Sequence, residues 1–294
     1  MTMIAEPAPA KINLALHVRA RRPDGYHELE TLFAFAADGD RVTVEIAQTD
    51  SFTIVGPFAA ALLPPGGSEI FETARETPGN APWHGNLVTA AADAFGAMFA
   101  IDARHAIILD KHLPIASGIG GGSADAAAAL RALARLHGIA ATDTRLHEVA
   151  ARLGADVPAC LVSRTTLGVG KCEVLVELAG LAGTPLLLVN PGVAVSTATV
   201  FGAWDGRDRG PIPEGDLLSR ARASRNDLEP PAVALAPVIA EVRSFLDAAD
   251  GVVLARMSGS GATCFAVFDT IAARDAAAAG AAARGWWTLA TTLV

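Results

Sequence analysis

The sequence predicts a mixed α/β fold, and three observations carry that expectation. Short runs with strand-like alternation recur from the N-terminus to the last residues. Between them lie Ala-rich runs with helical spacing, the longest of which follows a cluster of glycines at 118–122. A second glycine pair, Gly259 and Gly261, sits between two further apolar extended runs. At 294 residues the chain is long enough for one large domain or two ordinary ones, and a hydrophobic content of 51 % supplies an ample core.

Taken in order, residues 10–18 alternate like a half-buried strand. Ile12, Leu14, Leu16 and Val18 share one face, and Lys11, Asn13, Ala15 and His17 share the other. A lysine and an amide two apart on one face can reach the same ligand, although an exposed sheet face carries the same pattern. Asp24-Gly25 then marks a turn between two extended runs, the later one continuing through Leu29, Leu32 and Phe33. Tyr26, the only tyrosine, stands there with His27, Arg21 and Arg22. Together these side chains could stack on a flat ring and hydrogen-bond its rim; hairpin turns are also commonly just polar. Residues 41–46 and 52–55 read as strands, and 57–82, rich in Gly and Pro, as an irregular excursion with room for a short helix. Asn86 precedes a helix over Leu87–Phe99, and a strand over 103–109 leads to Lys111.

The next stretch, from Pro114 to Leu130, has the form of a phosphate cradle feeding a helix. Gly118, Gly120, Gly121 and Gly122 carry no Cβ, so successive N–H groups can turn towards one concave point. Ser123 is the expected N-cap, and the helix runs to His137, with Arg131, Arg135 and His137 in its last turns. Its free N–H groups and positive dipole end favour an anion, of which a nucleotide phosphate is the natural candidate. A flexible glycine linker is the competing reading, but linkers are Gly/Ser throughout and do not run straight into an apolar helix. The stretch has no Walker Gly-Lys-Ser/Thr ending and does not spell the Rossmann glycine pattern.

Beyond it, a helix over Thr144–Leu153 closes at Gly154. Asp156 follows as a ready N-cap for another turn; beside a phosphate site, a carboxylate has a second use in accepting a proton from an attacking hydroxyl. Strands are expected at 174–178 and 186–190, a strand end turning into a loop and helix at 191–197, and helices at 214–223 and 232–249. Residues 252–268 read as strand, glycine turn, strand; the turn fits a plain hairpin or a partner to the first glycine loop. A final helix at 272–284 and an edge strand at 287–294 complete the chain.

Composition narrows the function. A net charge of −8 argues against a general nucleic-acid or membrane binder, so an anionic ligand must be met locally. No apolar run approaches the roughly eighteen residues a bilayer span needs, and the first nine residues lack a basic start and an apolar core. A soluble protein of a reducing cytoplasm is expected, because Cys160, Cys172 and Cys264 make no even framework and no metal spacing. Of 23 basic residues only Lys11, Lys111 and Lys171 are lysines, which is either chance or the mark of places needing a compact point charge.

Three segments together carry a family resemblance: Pro9-Ala10-Lys11-Ile12-Asn13-Leu14, Pro114 to Ala127, and Met257-Ser258-Gly259-Ser260-Gly261-Ala262-Thr263-Cys264-Phe265. They resemble the three motifs of the GHMP small-molecule kinases, in that family's order and spread over nearly the whole chain. Asp24-Gly25-Tyr26-His27 and Gly154-Ala155-Asp156-Val157-Pro158 are similar to the branch of the family that acts on a cytidine diphosphate derivative of methylerythritol. The resemblance implies a two-domain α/β GHMP kinase fold: a ribosomal-protein-S5-domain-2-like, ATP-binding half over 1–165 and a ferredoxin-like half over 166–294, with the active site between them. It implies that ATP, with Mg²⁺, phosphorylates the 2-hydroxyl of that derivative in the non-mevalonate isoprenoid route. It further implies a cytoplasmic monomer or weak homodimer with no nucleic-acid or membrane partner.

By matching motif, the resemblance makes Asp156 the base and Lys11 the cation that steadies charge beside it. Asn13, Tyr26, His27 and Thr197 would hold the substrate, with Tyr26 stacked on the cytosine. Pro114, Ile115, Ala116, Ser117, Gly118, Ile119, Gly120, Gly121, Gly122, Ser123 and Ala124 would cradle the ATP phosphates, with Lys111 and Asn86 on the nucleotide side. It assigns no metal ligand. A sister homoserine or mevalonate kinase would share the glycine loop without needing the Asp-Gly-Tyr-His element, and a non-catalytic relative would be expected to lose Lys11 or Asp156. Two positions depart from the pattern. Ala124-Asp125 replaces a common Ser-Asn, so Asp125 would complement the helix N-terminus or help hold Mg²⁺. Lys171-Cys172 lengthens a usual Gly-x-Gly-Glu turn, and Lys171 has no assigned role.

Overall fold

The alternation at 10–18 is the middle of a longer strand, β1 (Met3–Arg21), in the computed structural model of the chain, which describes residues 2–62, 70–73 and 85–294. A second long strand, β2 (His27–Ala47), joins the runs expected at 29–33 and 41–46 into one element. Asp38-Gly39-Asp40 looks like a break in sequence, but tertiary partners keep it extended. Asp38 accepts a hydrogen bond from the Thr291 hydroxyl at 2.6 Å, and Asp40 accepts one from the Lys111 ammonium at 2.5 Å. Gly39 passes so close to β1 that a Cβ there would lie 2.1 Å from the Ala8 carbonyl oxygen.

Contacts divide the chain into two units, one of Met1–Ala10, Gly39–Ile115 and Gly121–Val162, the other of Lys11–Asp38, Ala116–Gly120 and Ser163–Val294. The division is interleaved, because β1 and β2 each contribute to both.

In the first unit, the later part of β2 is followed by β3 (Asp50–Val55), β4 (Ile70–Thr73), α1 (Leu87–Phe99), β5 (Arg104–Asp110), α2 (Gly121–Leu136), α3 (Thr144–Leu153) and α4 (Val157–Val162). Strand β5 pairs antiparallel with β2, Arg41 opposite Asp110, and parallel with β3, Ser51 opposite Ala106; β3 pairs antiparallel with β4. Helix α2 packs on α1, α3 and α4, and its run Ala126, Ala127, Ala128 and Ala129 is buried, small side chains that let the helices approach closely. Of the stretch expected to be irregular, 57–82, a short 3₁₀ turn at Ala59–Ala61 and β4 are described; 63–69 and 74–82 lie outside the described residues. Ser123 is not the N-cap of α2: the helix begins at Gly121, placing Ser123 third inside it. The left-handed residue before the helix, Gly120 at φ +66°, is where the loop ends, so the helix starts three residues earlier than a Ser123 cap would have started it.

The second unit adds β6 (Thr166–Gly170), β7 (Val174–Glu177), β8 (Pro185–Asn190), α5 (Thr197–Gly202), α6 (Leu217–Arg222), α7 (Glu229–Leu235), α8 (Val238–Asp247), β9 (Val252–Met257), β10 (Cys264–Phe268), α9 (Ile271–Ala282) and β11 (Trp287–Thr292). The first part of β2 pairs antiparallel with β6, Leu29 opposite Gly170, and β6 with β7. A separate antiparallel sheet has the order β11-β8-β10-β9, the split βαβ arrangement of a ferredoxin-like fold, with β11 at its edge as expected. Leu187, Val189, Met257 and Phe268 of this sheet share a core with Ile239, Val242 and Leu246 of α8. The single helix expected at 232–249 is two. Pro237 disfavours the helical region for the residue before it, and Ala236 accordingly sits at φ −138°, ψ 84°, between α7 and α8.

Candidate active site

In the second unit, Lys11 and Asn13 lie on one face of β1 as their spacing predicts, and that face is buried: they are 3 % and 2 % exposed. The Lys11 ammonium donates to Asn13 Oδ1 at 3.0 Å and lies 5.2 Å from the Phe33 ring centroid. Asn13 Nδ2 donates to the Thr31 hydroxyl at 2.7 Å, which donates in turn to the Ala15 carbonyl at 2.7 Å. This relay fixes the amide orientation, so its oxygen faces the lysine.

The two glycine loops meet on the same residues. Ser258 Oγ accepts from the Asn13 N–H at 3.2 Å and donates to the Gly118 carbonyl at 2.9 Å. The Thr263 N–H donates to the Ser117 carbonyl at 3.1 Å, and the Lys11 N–H to the Ile119 carbonyl at 2.9 Å. Gly118, at φ +75°, approaches so closely that a Cβ would sit 2.5 Å from the Ser258 carbonyl oxygen; one on Gly120 would sit 2.9 Å from Lys11 Cε. The second loop is therefore a partner to the first and not a plain hairpin. Asn226 holds it from the other side, donating to the Met257 and Gly259 carbonyls at 2.8 Å each. Thr197, the first residue of α5, shares a 2.8 Å hydrogen bond with the Ser260 hydroxyl.

In the first unit, Lys111 is 3 % exposed and lies between two carboxylates, 2.5 Å from Asp40 Oδ2 and 2.6 Å from Asp125 Oδ2. Asp40 Oδ1 also accepts the His112 and Leu113 N–H groups, at 2.5 and 2.8 Å, which ties the end of β5 to β2. Asp125 is thus the partner of Lys111 from the first turns of α2. Burial pushes its carboxyl up to about 8, with the charge of Asp40 adding and that of Lys111 opposing. Burial works against the charge of Lys111, yet the two carboxylates raise its pKa overall. Gly121 packs on this group: a Cβ there would lie 3.1 Å from Lys111 Nζ. Asn86 caps α1, its side chain accepting the Val88 N–H at 2.9 Å. Asp156 is half-buried at the start of α4, where its carbonyl accepts the Cys160 N–H at 3.0 Å. Among the described residues no three His, Cys, Asp or Glu side chains gather as a metal cage.

Tyr26 and His27, also in the second unit, occupy different surroundings. Tyr26 is 56 % exposed, its N–H bonded to Asp24 Oδ1 at 3.1 Å. The His27 ring packs 4.9 Å from that of Phe201 and 5.9 Å from that of Trp204, centroid to centroid. Burial, reinforced by the charge of Arg21, lowers its pKa, so the imidazole is neutral at pH 7. Its Nε2 is buried with no hydrogen-bond partner among the described residues, a polar atom whose desolvation a ligand could compensate. Phe201 and Trp204 escaped the sequence reading. Phe201 stands four residues after Thr197, one helical turn along α5, and that spacing was the available signal. Asp40 carried no such signal, because its partner is 71 positions away.

Within the second unit, two interlocked glycine loops lie beside a buried lysine and amide, an arrangement of backbone N–H groups and positive charge suited to an anion. The chain belongs to the GHMP kinase family: residues 86–164 match the model "GHMP kinases N terminal domain" and 212–285 match "GHMP kinases C terminal". A protein of Rhizorhabdus wittichii named 4-diphosphocytidyl-2-C-methyl-D-erythritol kinase is 54 % identical, over 98 % of this chain and 94 % of that protein. One of the same name from Novosphingobium aromaticivorans is 47 % identical, over 99 % and 93 %. A solved structure described as 4-(cytidine 5'-diphospho)-2C-methyl-D-erythritol kinase superposes with a TM-score of 0.78 at 35 % identity, covering 99 % of both chains.

Proposed function

We propose that the chain transfers the γ-phosphoryl group of ATP to the 2-hydroxyl of 4-diphosphocytidyl-2-C-methyl-D-erythritol, giving the 2-phosphate and ADP. The observation that carries this reading is the 54 % identity, over nearly the full length of both chains, to a protein of that name. The buried His27 Nε2, without a hydrogen-bond partner among the described residues, and the exposed Tyr26 support it, because a pyrimidine offers a flat face for stacking and a polar rim for hydrogen bonding. The reaction belongs to the non-mevalonate isoprenoid route, and a cytoplasmic monomer or weak homodimer without nucleic-acid or membrane partners suits it.

In this reading residues 1–165 carry most of the nucleotide site and 166–294 complete the enzyme. Pro114 to Ala124 receive the phosphates on loop amides and the opening of α2, with Asn86 and Lys111 on the nucleotide side. Lys111 acts there by holding Asp125 and the start of α2 in place. Asn13, Tyr26, His27 and Thr197 hold the acceptor. Asp156 takes the proton of the 2-hydroxyl as that oxygen attacks, while Lys11, oriented by Asn13, opposes the charge that builds on the reacting oxygens. Mg²⁺ bound with ATP would supply positive charge to the phosphates during transfer, and no residue of this chain is assigned as its ligand.

ADP release, measured with ATP and Mg²⁺ across the diphosphocytidyl substrate, homoserine and mevalonate, tests this. Turnover of the first alone is expected. Turnover only of homoserine or mevalonate would replace the assignment with a sister kinase, and binding of ATP without turnover of any would point to a non-catalytic relative.

A further inference from the structure

Lys171 has no part in the motifs, yet its ammonium lies 4.9 Å from the centroid of the Tyr26 ring and 3.7 Å from Asp24 Oδ2. It is carried there by the turn between β6 and β7, where Cys172 is buried at φ +71° and the Lys171 N–H donates to the Glu173 carboxylate. This turn places the Lys171 ammonium over the ring. The other end of the contact is tied down as well. Asp24 accepts the Tyr26 N–H at 3.1 Å and lies 3.5 Å from Arg22 Nε, and Arg22 pairs with Glu28 at 2.8 Å. A cation on an aromatic face is attracted by the ring quadrupole and holds the ring against rotation. One face of an otherwise exposed tyrosine is thereby taken, and the turn that carries the tyrosine is pinned through Asp24.

We propose that Lys171 is a positioning residue for substrate binding: its ammonium holds one face of Tyr26 and, with Asp24, fixes the ring so that the opposite face receives the base of the nucleotide substrate. The inference rests on the stacking role proposed for Tyr26. It gives the lysine a function in orienting an aromatic platform, separate from any contact with a phosphate.

Lys171→Met keeps the apolar stem and removes the charge. The expected result is a KM for the diphosphocytidyl substrate raised about three- to five-fold, with kcat, the KM for ATP and the thermal midpoint unchanged. Lys171→Arg, whose guanidinium also lies on ring faces, is expected to restore that KM to within about two-fold of wild type. In a Tyr26→Leu background, Lys171→Met should change nothing further, which a merely structural lysine would not satisfy. An unchanged KM in Lys171→Met, or a full additional loss in the Tyr26→Leu background, overturns the proposal. Because Tyr26 is the only tyrosine, fluorotyrosine labelling gives a single fluorine resonance that should move on Lys171→Met with no substrate present. An unmoved resonance removes the ring contact itself. A moved resonance in a protein that turns over none of the cytidylyl substrate removes the reading on which the proposal rests and leaves only the contact.

Discussion

Side-chain chemistry in this chain divides into groups readable from local spacing and groups that depend on distant partners. Lys11 and Asn13 are readable because a strand has period two, which places both on one face whatever the fold does next. Asp156 is readable as a helix-start carboxylate, and its half-burial allows its charge to be removed without uncovering a core. Asp156→Asn should therefore fold and bind ATP normally while kcat falls by about 10²- to 10⁴-fold, the usual contribution of a positioned base. Steady-state turnover with a nucleotide titration checks this, and near-normal kcat would remove Asp156 from the role. Lys111 and Asp125 behave differently. Each looks like a ligand group when read alone, and the structure joins them to each other.

At the level of elements, the glycine loop shows how close approach decides which glycines are needed. Gly118 combines φ +75° with a Cβ position 2.5 Å from the Ser258 carbonyl oxygen, so any side chain must displace the second glycine loop. Gly118→Ala should cost about 1–3 kcal/mol of stability and raise the KM for ATP. Gly122 lies within α2, and the nearest atom to a Cβ there is Leu87 Cδ1 at an ordinary 3.6 Å. Gly122→Ala should leave stability unchanged or raise it by up to about 1 kcal/mol, as alanine for glycine in a helix does. Urea denaturation of the two variants separates these expectations, and equal midpoints would refute the packing argument. Some element boundaries were legible from a cap, although Ser123, expected as one, lies inside α2. The helix over Thr144–Leu153 matches its expected bounds, with Asp143 at its N-cap and Gly154 after its end. The break at Pro237 is as local as those caps and was visible in sequence, but the alanine-rich pattern around it masked it.

For the whole molecule, the buried Asp40–Lys111–Asp125 group makes stability depend on pH. In the unfolded chain an aspartate loses its proton near about pH 4. In the folded chain burial pushes Asp125 up to about 8. Between those values the folded chain binds a proton that the unfolded chain has released, so stability falls as pH rises through the window and levels off above it. Asp125→Asn keeps the shape and removes the titration. Its urea midpoint should decline less between pH 5 and pH 8 than that of the wild type, and an equal decline would exclude Asp125 as the source.

The sequence by itself determined the mixed α/β class, the strand–loop–helix context of the glycine stretch and the family, and it proposed the candidate site residues. These depend on periodicity, on backbone freedom at glycine and on short motifs, all of which are local. Only the tertiary structure decided that β2 runs unbroken through Asp38-Gly39-Asp40, that Ser258 locks the two glycine loops together, and that Lys171 reaches Tyr26. Each of these contacts joins residues far apart in the chain, 140 positions in the case of Ser258 and Gly118. Hydrogen bonds and ion pairs of that kind leave no period in a sequence, because what selects them is the packing that brings the partners within 3 Å or so of each other.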